Sequence, residues 1–293
     1  MAVKKQDKLI LIIFAAAAVL LAVVLMTHLR SKGDAAALSG DKIGVVELNG
    51  IITSSRAVVK QFESFRKDNS IKAIVFRIDS PGGGIAASQE IYEHVRRVRE
   101  VKPVIASMGS VAASGGYYVA LGADSIMANP GTTTGSIGVI AEFPNFTQLF
   151  AKLGIQMTVI KSGRFKDAGS PYRPMNDQDR QYLQAWIDNG YEQFVQVVAR
   201  ERDMPSERVR LLADGRVYSG EQALKLSLID TLGTYEDAIQ LAAAAAGIKG
   251  EPRVVRQLRR KMTPFEFLIS FDLEEFVQAH FSEWPRMQYR MTF

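Results

Sequence analysis

The first feature of the chain is an unbroken apolar run near its start. Residues 9–26, LILIIFAAAAVLLAVVLM, carry no charge over eighteen positions, which is long enough for a helix to cross the hydrocarbon core of a bilayer. A cleavable signal peptide is the alternative, because residues 35–37 offer an A-x-A site, but these alanines lie well past the run. We therefore predict an uncleaved transmembrane anchor over residues 9–26, between a short N-terminus (1–8) and a linker (27–41).

The charges beside this run indicate its orientation. Lys4, Lys5 and Lys8 precede it, whereas Arg30 and Lys32 follow it. Because positively charged flanks tend to stay in the cytoplasm, this slight bias predicts a cytoplasmic N-terminus and an outward-facing body.

In the body of the chain, short apolar stretches alternate with stretches of helical periodicity. The predicted strands are residues 43–49, 72–79, 103–108, 125–129 and 156–160. The predicted helices are residues 85–99, 115–121, 177–202 and 234–247, with a further short helix opened by a capping box at 219–222. This alternation predicts an α/β domain with a largely parallel sheet and right-handed crossovers. We find no internal repeat, so we expect one catalytic domain over residues 42–248.

Composition narrows the possible chemistry. The net charge of +5 arises from 36 basic and 31 acidic residues without a long basic block, which argues against a nucleic-acid partner. The absence of cysteine excludes disulfides, thiolate metal sites and cysteine nucleophiles. The histidines, His28, His94 and His280, are too scattered to favour a metal site or a histidine base. We predict no metal and no cofactor.

Two glycine-rich loops follow predicted strands, at the sheet edge where open α/β folds usually bind ligands. The first, residues 79–84 (DSPGGG), could direct backbone N–H groups at an oxyanion, and it lacks the Walker lysine. The second, residues 112–118 (AASGGYY), places Ser114 at a helix start, followed by the N–H of Gly115. An N-cap serine among glycines that allow tight packing explains the second loop equally well.

A nucleophilic serine needs a base, and lysine is the remaining choice. Such a lysine must be neutral, which requires a pKa drop of about 3 units, or roughly 4 kcal/mol, obtainable by burial. Lys166 lies in a loop bracketed by glycines, although the carboxylate of Asp167 must then point away from its amine. Lys161 is the alternative base. Hydroxyl groups of residues 131–136 could orient the amine of either lysine.

Four motifs in this order, DSPGGG, SMGSVAASGGYYVA, NPGTTTGSIGV and SGRFKDAGSPYR, resemble the signal peptide peptidase A family in its short, single-domain bacterial form. The resemblance covers residues 43–247 and the anchor. It implies an α/β fold of the Clp-protease/crotonase type, a spiral of ββα units with one N-terminal transmembrane helix.

The resemblance also implies a role for five residues. Ser114 would be the nucleophile and Lys166 the general base, which decides between Lys166 and Lys161. Ser136 would hydrogen-bond the lysine amine, and the N–H groups of Gly83 and Gly115 would form the oxyanion hole.

The function implied is a Ser/Lys-dyad endopeptidase that degrades remnant signal peptides, with a preference for small and apolar residues at the cleavage site. The resemblance implies a homo-oligomeric ring in the bacterial cytoplasmic membrane, in which the serine and lysine can come from neighbouring protomers. Two alternatives are a crotonase-like acyl-CoA enzyme, which the outward-facing body disfavours, and a catalytically inactive membrane scaffold.

For the tail, residues 249–293, we expect an ordinary helix that covers part of the core. The alternatives are contact of its basic run with lipid, and contact of Phe265, Phe267 and Phe271 with a neighbouring protomer.

Overall fold

The structure, a computed structural model, describes residues 41–256 and 288–291, and the described residues from Lys42 onward belong to one compact unit. The strands are Lys42–Asn49 (β1), Ile71–Ser80 (β2), Gly82–Gly84 (β3), Val104–Ala113 (β4), Ser125–Ala128 (β5), Thr133–Gly135 (β6), Val217–Ser219 (β7), Thr231–Leu232 (β8), Arg253–Arg256 (β9) and Gln288–Arg290 (β10). The helices are Arg56–Lys67 (α1), Ile85–Arg99 (α2), Gly115–Ala120 (α3), Thr147–Lys152 (α4), Asp177–Glu201 (α5), Ser206–Leu212 (α6), Gly220–Lys225 (α7) and Tyr235–Ala245 (α8), with a 3-10 turn at Arg164–Asp167.

The main sheet has the strand order β9-β1-β2-β4-β6-β7, and β5 lies between β4 and β8. All of its pairings are parallel except β6 with β7. The long strand β4 pairs with β5 over residues 105–107 and with β6 over residues 111–113. As a result, the carboxyl ends of β2, β4 and β6 meet at one edge of the sheet. This edge carries the loops that the sequence singled out.

The sheet is buried on both faces, as a parallel sheet requires. Val45 and Val75 face α8, whose inner surface is made of alanines and one isoleucine. Val46 and Phe76, one residue further along each strand, face the larger core formed with α1, α2, α3 and α5. Apolar side chains on both sides of each strand explain why β1 and β2 are almost continuously hydrophobic.

Most predicted elements are confirmed within one or two residues, including the capping box of α7 at Ser219. Helix α8 also begins with a capping box, at Thr234, which we did not predict. The predicted strand over residues 156–160 is wrong. Its apolar residues alternate with polar ones, but the segment pairs with no strand of the described chain and is exposed, Ile160 by 96%. Periodicity shows that apolar and polar side chains alternate along a segment, whereas a strand also needs a neighbouring strand to accept its backbone hydrogen bonds.

Two predictions concern the ends of the chain. The predicted anchor, residues 9–26, and its flanks lie outside the described residues, and within the described ones no helix is long and apolar enough to cross a bilayer. In the tail, the described residues form strands β9 and β10 where we expected a helix. The phenylalanines at 265, 267 and 271 lie outside the described residues.

Candidate active site

Ser114 lies at the sharp junction between β4 and α3. Its backbone has φ +54° and ψ −116°, a conformation that costs a non-glycine residue free energy and occurs at strand-to-helix turns that present nucleophiles. The N–H of Ser114 donates to the carbonyl of Gly135 at 2.7 Å, and the hydroxyl of Tyr117 pins α3 by donating to the carbonyl of Leu228 at 2.8 Å. The junction is therefore held from both sides.

The side chain of Ser114 makes no hydrogen bond that stabilises the fold within the described residues. Ser114 is only 1% exposed, yet its Oγ has no hydrogen-bond partner there, and it makes no capping bond to α3. A buried unpaired hydroxyl costs free energy. The N-cap explanation of this serine therefore lacks the hydrogen bond that defines a cap.

Ser136 follows the neighbouring strand β6 and sits beside the same edge. Ala113 pairs with Gly135, so Ser114 and Ser136 each come directly after one member of a strand pair. Ser136 also has a positive φ, +50°. Its side chain lines a cavity of about 600 Å³ that extends towards Gly215 and Arg290.

Two threonines before Ser136, Thr132 and Thr134, donate their hydroxyl protons to backbone carbonyls of β4. Thr132 donates to the carbonyl of Gly109 at 2.8 Å, and Thr134 donates to the carbonyl of Ala112 at 2.7 Å. Both hydrogen bonds hold β6 and the turn before it against β4. Ser136, in the same predicted loop of residues 131–136, lines the cavity.

The glycine strand β3 runs past the start of α3. Ile52 donates its N–H to Gly82 and accepts from the N–H of Gly84, each at 2.8 Å, so the N–H and carbonyl of Gly83 point to the opposite side. A Cβ placed on Gly82 would lie 2.7 Å from the backbone nitrogen of Gly115. The two predicted oxyanion donors, Gly83 and Gly115, therefore border one spot next to Ser114.

A backbone carbonyl of the chain itself occupies this spot. Strand β10 pairs antiparallel with β3, with Tyr289 opposite Gly83, and the N–H of Met291 donates to the carbonyl of Pro81 at 2.9 Å. The Tyr289 carbonyl oxygen lies 3.1 Å from where a Cβ on Gly115 would be. Nothing in the sequence pattern indicated this contact, because β10 and β3 are about 200 residues apart.

Replacing Gly83 by alanine is expected to lower kcat/KM for peptide cleavage by about 10²-fold or more, which is what the loss of one oxyanion donor typically costs. Gly83 has φ +158°, and a Cβ there would lie 2.2 Å from the Ile52 carbonyl oxygen, so the strand must move. Gly84→Ala is the matched control, because its Cβ would meet that oxygen at an ordinary 3.6 Å. Equal activity of the two variants would contradict the assignment of Gly83.

Lys166 lies in the 3-10 turn, on the exposed side of the described unit. The structure does not bring it to Ser114, whose Oγ has no hydrogen-bond partner within residues 41–256 and 288–291. Its neighbour Asp167 is turned to other cations: Arg173 and Lys161 both bond its carboxylate. Those two partners hold the pKa of Asp167 well below its usual range. The ion pairs therefore favour the folded loop above about pH 4, and this contribution is lost as the pH falls further.

This arrangement affects both candidate bases. The sequence required the side chains of Lys166 and Asp167 to diverge, and Asp167 is indeed engaged elsewhere. Lys161 is itself held by the carboxylate of Asp167 in an ion pair. Of the two, Lys166 is the amine that no carboxylate of the described residues holds.

Metal and histidine chemistry find no support in the described residues. Over residues 41–256 and 288–291 there is no group of three or more metal-ligating side chains. His94 packs against Phe62 on α1 and near Glu63, and burial lowers its pKa. It belongs to the packing between α1 and α2, on a different part of the unit from the glycine strand.

Comparison with known proteins gives a consistent pattern. The family model of peptidase family S49 matches residues 96–249, just over half of the chain, and the Clp protease model matches residues 42–133. A candidate protease of Synechocystis sp., slr0021, is 46% identical over 209 residues, which are 71% of this chain and 75% of that protein.

Two further relatives are less similar. A candidate protease of Methanocaldococcus jannaschii is 37% identical over 69% of this chain, and a candidate signal peptide peptidase SppA of Enterococcus faecium is 35% identical over 69% of it. The chain spans 64% and 62% of the length of these two proteins.

Proposed function

The chain belongs to peptidase family S49 as a serine-type peptidase, and we propose that it is a membrane-anchored endopeptidase that degrades remnant signal peptides with a Ser114/Lys166 dyad. The observation that carries this proposal is the Ser114 side chain, which is buried at a strained turn beside two glycine backbones and has no hydrogen-bond partner among the described residues. The mixed α/β fold with its Clp-protease-like part is consistent with it.

The proposed reaction uses the five residues to which the family resemblance assigns a role. Neutral Lys166 takes the proton of Ser114 as Oγ bonds to the substrate carbonyl carbon, and the N–H groups of Gly83 and Gly115 hold the resulting oxyanion. The C–N bond then breaks, and the lysine returns the proton to the leaving nitrogen. Water, deprotonated by the same lysine, hydrolyses the ester and frees Ser114. Ser136 orients the amine between these steps.

In a homo-oligomer, a neighbouring chain could place a lysine beside Ser114, which the single chain does not do. Lys166 sits at the end of an exposed segment whose apolar residues, among them Leu153, Val159 and Ile160, lack a covering surface in the described chain. Large exposed apolar surfaces of this kind mark interaction sites. We propose that the segment packs on the next protomer of a ring and carries Lys166 to that protomer's Ser114.

Mixing two inactive variants tests this arrangement. If each site takes its serine and lysine from different chains, Ser114→Ala and Lys166→Ala chains that exchange subunits in equal amounts should regain about a quarter of the wild-type activity. A double variant, Ser114→Ala with Lys166→Ala, mixed with wild type provides the control for exchange. Mixtures that exchange subunits and stay inactive would place both residues in one chain.

The substrate and the location are proposed from the apolar segment at residues 9–26. A single-pass anchor with the N-terminus in the cytoplasm would hold the peptidase domain at the outer face of the bacterial cytoplasmic membrane, where signal peptides remain after release. No nucleic-acid partner is proposed.

A comparison of free and attached signal peptides tests the substrate. The purified full chain in detergent is expected to cut a free synthetic signal peptide within its apolar segment at least about tenfold faster than the same sequence fused to a folded passenger, because an extended substrate must pair with β3. Mass spectrometry identifies the cut. Equal cleavage of both substrates would contradict the preference for free signal peptides and would indicate a general endopeptidase. Turnover of an acyl-CoA ester without peptide cleavage would support the crotonase-like alternative.

A further inference from the structure

The side chain of Arg173 joins the turn that carries Lys166 to the first turn of helix α5. Its Nε and Nη2 atoms donate to the two carboxylate oxygens of Asp167, each at 2.9 Å, and Nη2 also donates to the Asp167 carbonyl at 3.2 Å. Its Nη1 atom donates to the carboxylate of Asp179. Because two parallel bonds from a guanidinium to one carboxylate fix the direction of both groups, Arg173 holds Asp167 in one orientation. We name Asp167, Arg173 and Asp179 together the arginine clamp.

The clamp is fixed to the folded unit at its α5 end. Asp179 is 1% exposed, and it closes the capping box of α5. Its carboxylate accepts from the N–H of Asn176 at 3.3 Å, and its own N–H donates to the Asn176 side chain at 2.8 Å. Further along α5, Phe194 is buried in the larger core. A carboxylate buried to this extent needs a cationic partner, and Arg173 supplies it.

The turn that carries Lys166 has little other support within the described residues. Residues 151–166 are all exposed, and partly buried positions begin again at Asp167. The ring of Phe165 stacks on that of Tyr182 with the centroids 4.7 Å apart, but both side chains stay exposed to solvent. A segment with few buried contacts keeps one position only where polar bonds hold it. The arginine clamp is therefore the main link between the backbone of Lys166 and the folded unit.

The clamp also balances charge beside the Lys166 amine. The titratable groups that face the turn come from the turn itself, from the segments on either side and from α5, and they are Lys161, Arg164, Lys166, Asp167, Arg173, Asp179 and Tyr182. Hydrogen bonds from Arg173 are the main cause that holds the pKa of Asp167 and of Asp179 below the usual range, so both carboxylates are charged at neutral pH. An uncompensated carboxylate next to an amine favours the protonated amine, which cannot accept a proton from Ser114.

From this geometry we infer that Arg173 is a positioning residue for the proposed dyad. It compensates the charge of Asp167, turns that carboxylate away from the Lys166 amine and ties the turn to α5. The inference rests on the proposed function, in which Lys166 acts as a neutral base. The sequence required the side chains of Lys166 and Asp167 to diverge, and Arg173 is the residue that separates them.

A pH series with two variants tests the inference. Arg173→Gln removes the compensating charge, and Arg173→Gln combined with Asp167→Asn removes the carboxylate charge as well. The purified full chain in detergent cleaves a free synthetic signal peptide, and kcat/KM is measured from pH 6 to 10. We expect the midpoint, the pH at which kcat/KM reaches half of its alkaline plateau, to rise by about 1 unit in Arg173→Gln, which is about a tenfold loss below the midpoint. The double variant should return to the wild-type midpoint.

Two further variants separate charge from position and from folding. Arg173→Lys keeps the charge but cannot bind both carboxylate oxygens in a fork, so we expect the wild-type midpoint and a loss of about tenfold at every pH, because the turn is less well placed. Arg180→Gln is the matched control, since Arg180 is an exposed arginine at the start of α5, and its midpoint and plateau should equal those of the wild type. Misfolded protein lowers kcat/KM by the same factor at every pH and leaves the midpoint in place.

The outcomes distinguish this inference from the proposed function. Absence of peptide cleavage by the wild-type chain, or undiminished cleavage by Lys166→Ala, would remove the proposed dyad itself. With the dyad intact, a wild-type midpoint in Arg173→Gln would overturn the role of Arg173. A raised midpoint that Asp167→Asn does not reverse, or that Arg173→Lys shares, would overturn it too. If Arg173→Gln is too slow to measure, the double variant should cleave at least about tenfold faster at pH 7, and equal inactivity of the two would contradict the inference.

Discussion

Replacing Ser114 by alanine is expected to lower kcat/KM for peptide cleavage by about 10⁴-fold or more, because removal of a nucleophile leaves only binding and the oxyanion donors. Stability should stay the same or rise by up to about 1 kcal/mol, since the change removes a buried Oγ that makes no hydrogen bond in the described residues. Initial rates of peptide cleavage and urea unfolding measure the two effects on the same preparations.

The stability measurement separates the two explanations of this serine. An N-cap serine would show the opposite result, with full activity and a loss of about 1 kcal/mol in the free energy of unfolding. Ser110→Ala is the matched control, because Ser110 is an exposed serine on the same strand, β4. A fluorophosphonate probe should label the wild-type chain and the Ser110→Ala variant and leave Ser114→Ala unlabelled. Cleavage that persists in Ser114→Ala would rule out Ser114 as the nucleophile and leave the inactive scaffold or another chemistry.

Replacing Lys166 by alanine is expected to lower kcat/KM by about 10³-fold or more, whereas Lys161→Ala should cost about tenfold or less. The difference follows from Asp167, which holds Lys161 in an ion pair and leaves the Lys166 amine free of carboxylates in the described residues. In the Lys161→Ala variant Arg173 still bonds Asp167 through two nitrogens, so the carboxylate should stay away from Lys166.

An arginine at position 166 distinguishes a base from a positive charge. Lys166→Arg should be as inactive as Lys166→Ala at every pH from 6 to 9, because a guanidinium does not lose its proton in this range. Recovery of activity by the arginine variant would show that position 166 supplies charge alone. Loss of activity in Lys161→Ala with retention in Lys166→Ala would exchange the roles of the two lysines.

The predicted elements followed from patterns that are local in the chain. Strands β1 and β2 are apolar on both faces because helices cover the sheet from both sides, and Ser219 begins its helix with a capping box that the sequence alone indicates. The segment over residues 156–160 was misassigned because its alternation of apolar and polar residues is typical of a strand, whereas no strand of the described chain pairs with it. A pattern along the chain reports which faces are apolar, but a strand also needs a neighbour that accepts its backbone hydrogen bonds.

The sequence alone supports some of the predicted site residues better than others. The glycines at 82–84 and Ser114 stand out as loops after strands, whereas the choice of Lys166 over Lys161 depended on family resemblance. The structure adds an independent reason for that choice, the ion pair between Lys161 and Asp167. It leaves Lys166 apart from Ser114, and the dyad remains a prediction that subunit mixing can test.

The sequence by itself determined the α/β class, the edge at which the site lies and the kinds of residue available for catalysis, because strand and helix periodicity, turns and the lack of cysteine are local or compositional properties. Only the tertiary structure decided that Ser114 has a strained backbone and no hydrogen-bond partner for its side chain among the described residues, that Gly83 and Gly115 border one spot, and that the ring of Tyr289 packs against Tyr118 and Phe194. These features depend on backbone dihedrals and on contacts between segments as much as 200 residues apart. Such contacts exist only once the sheet has assembled and its edge has brought the loops together.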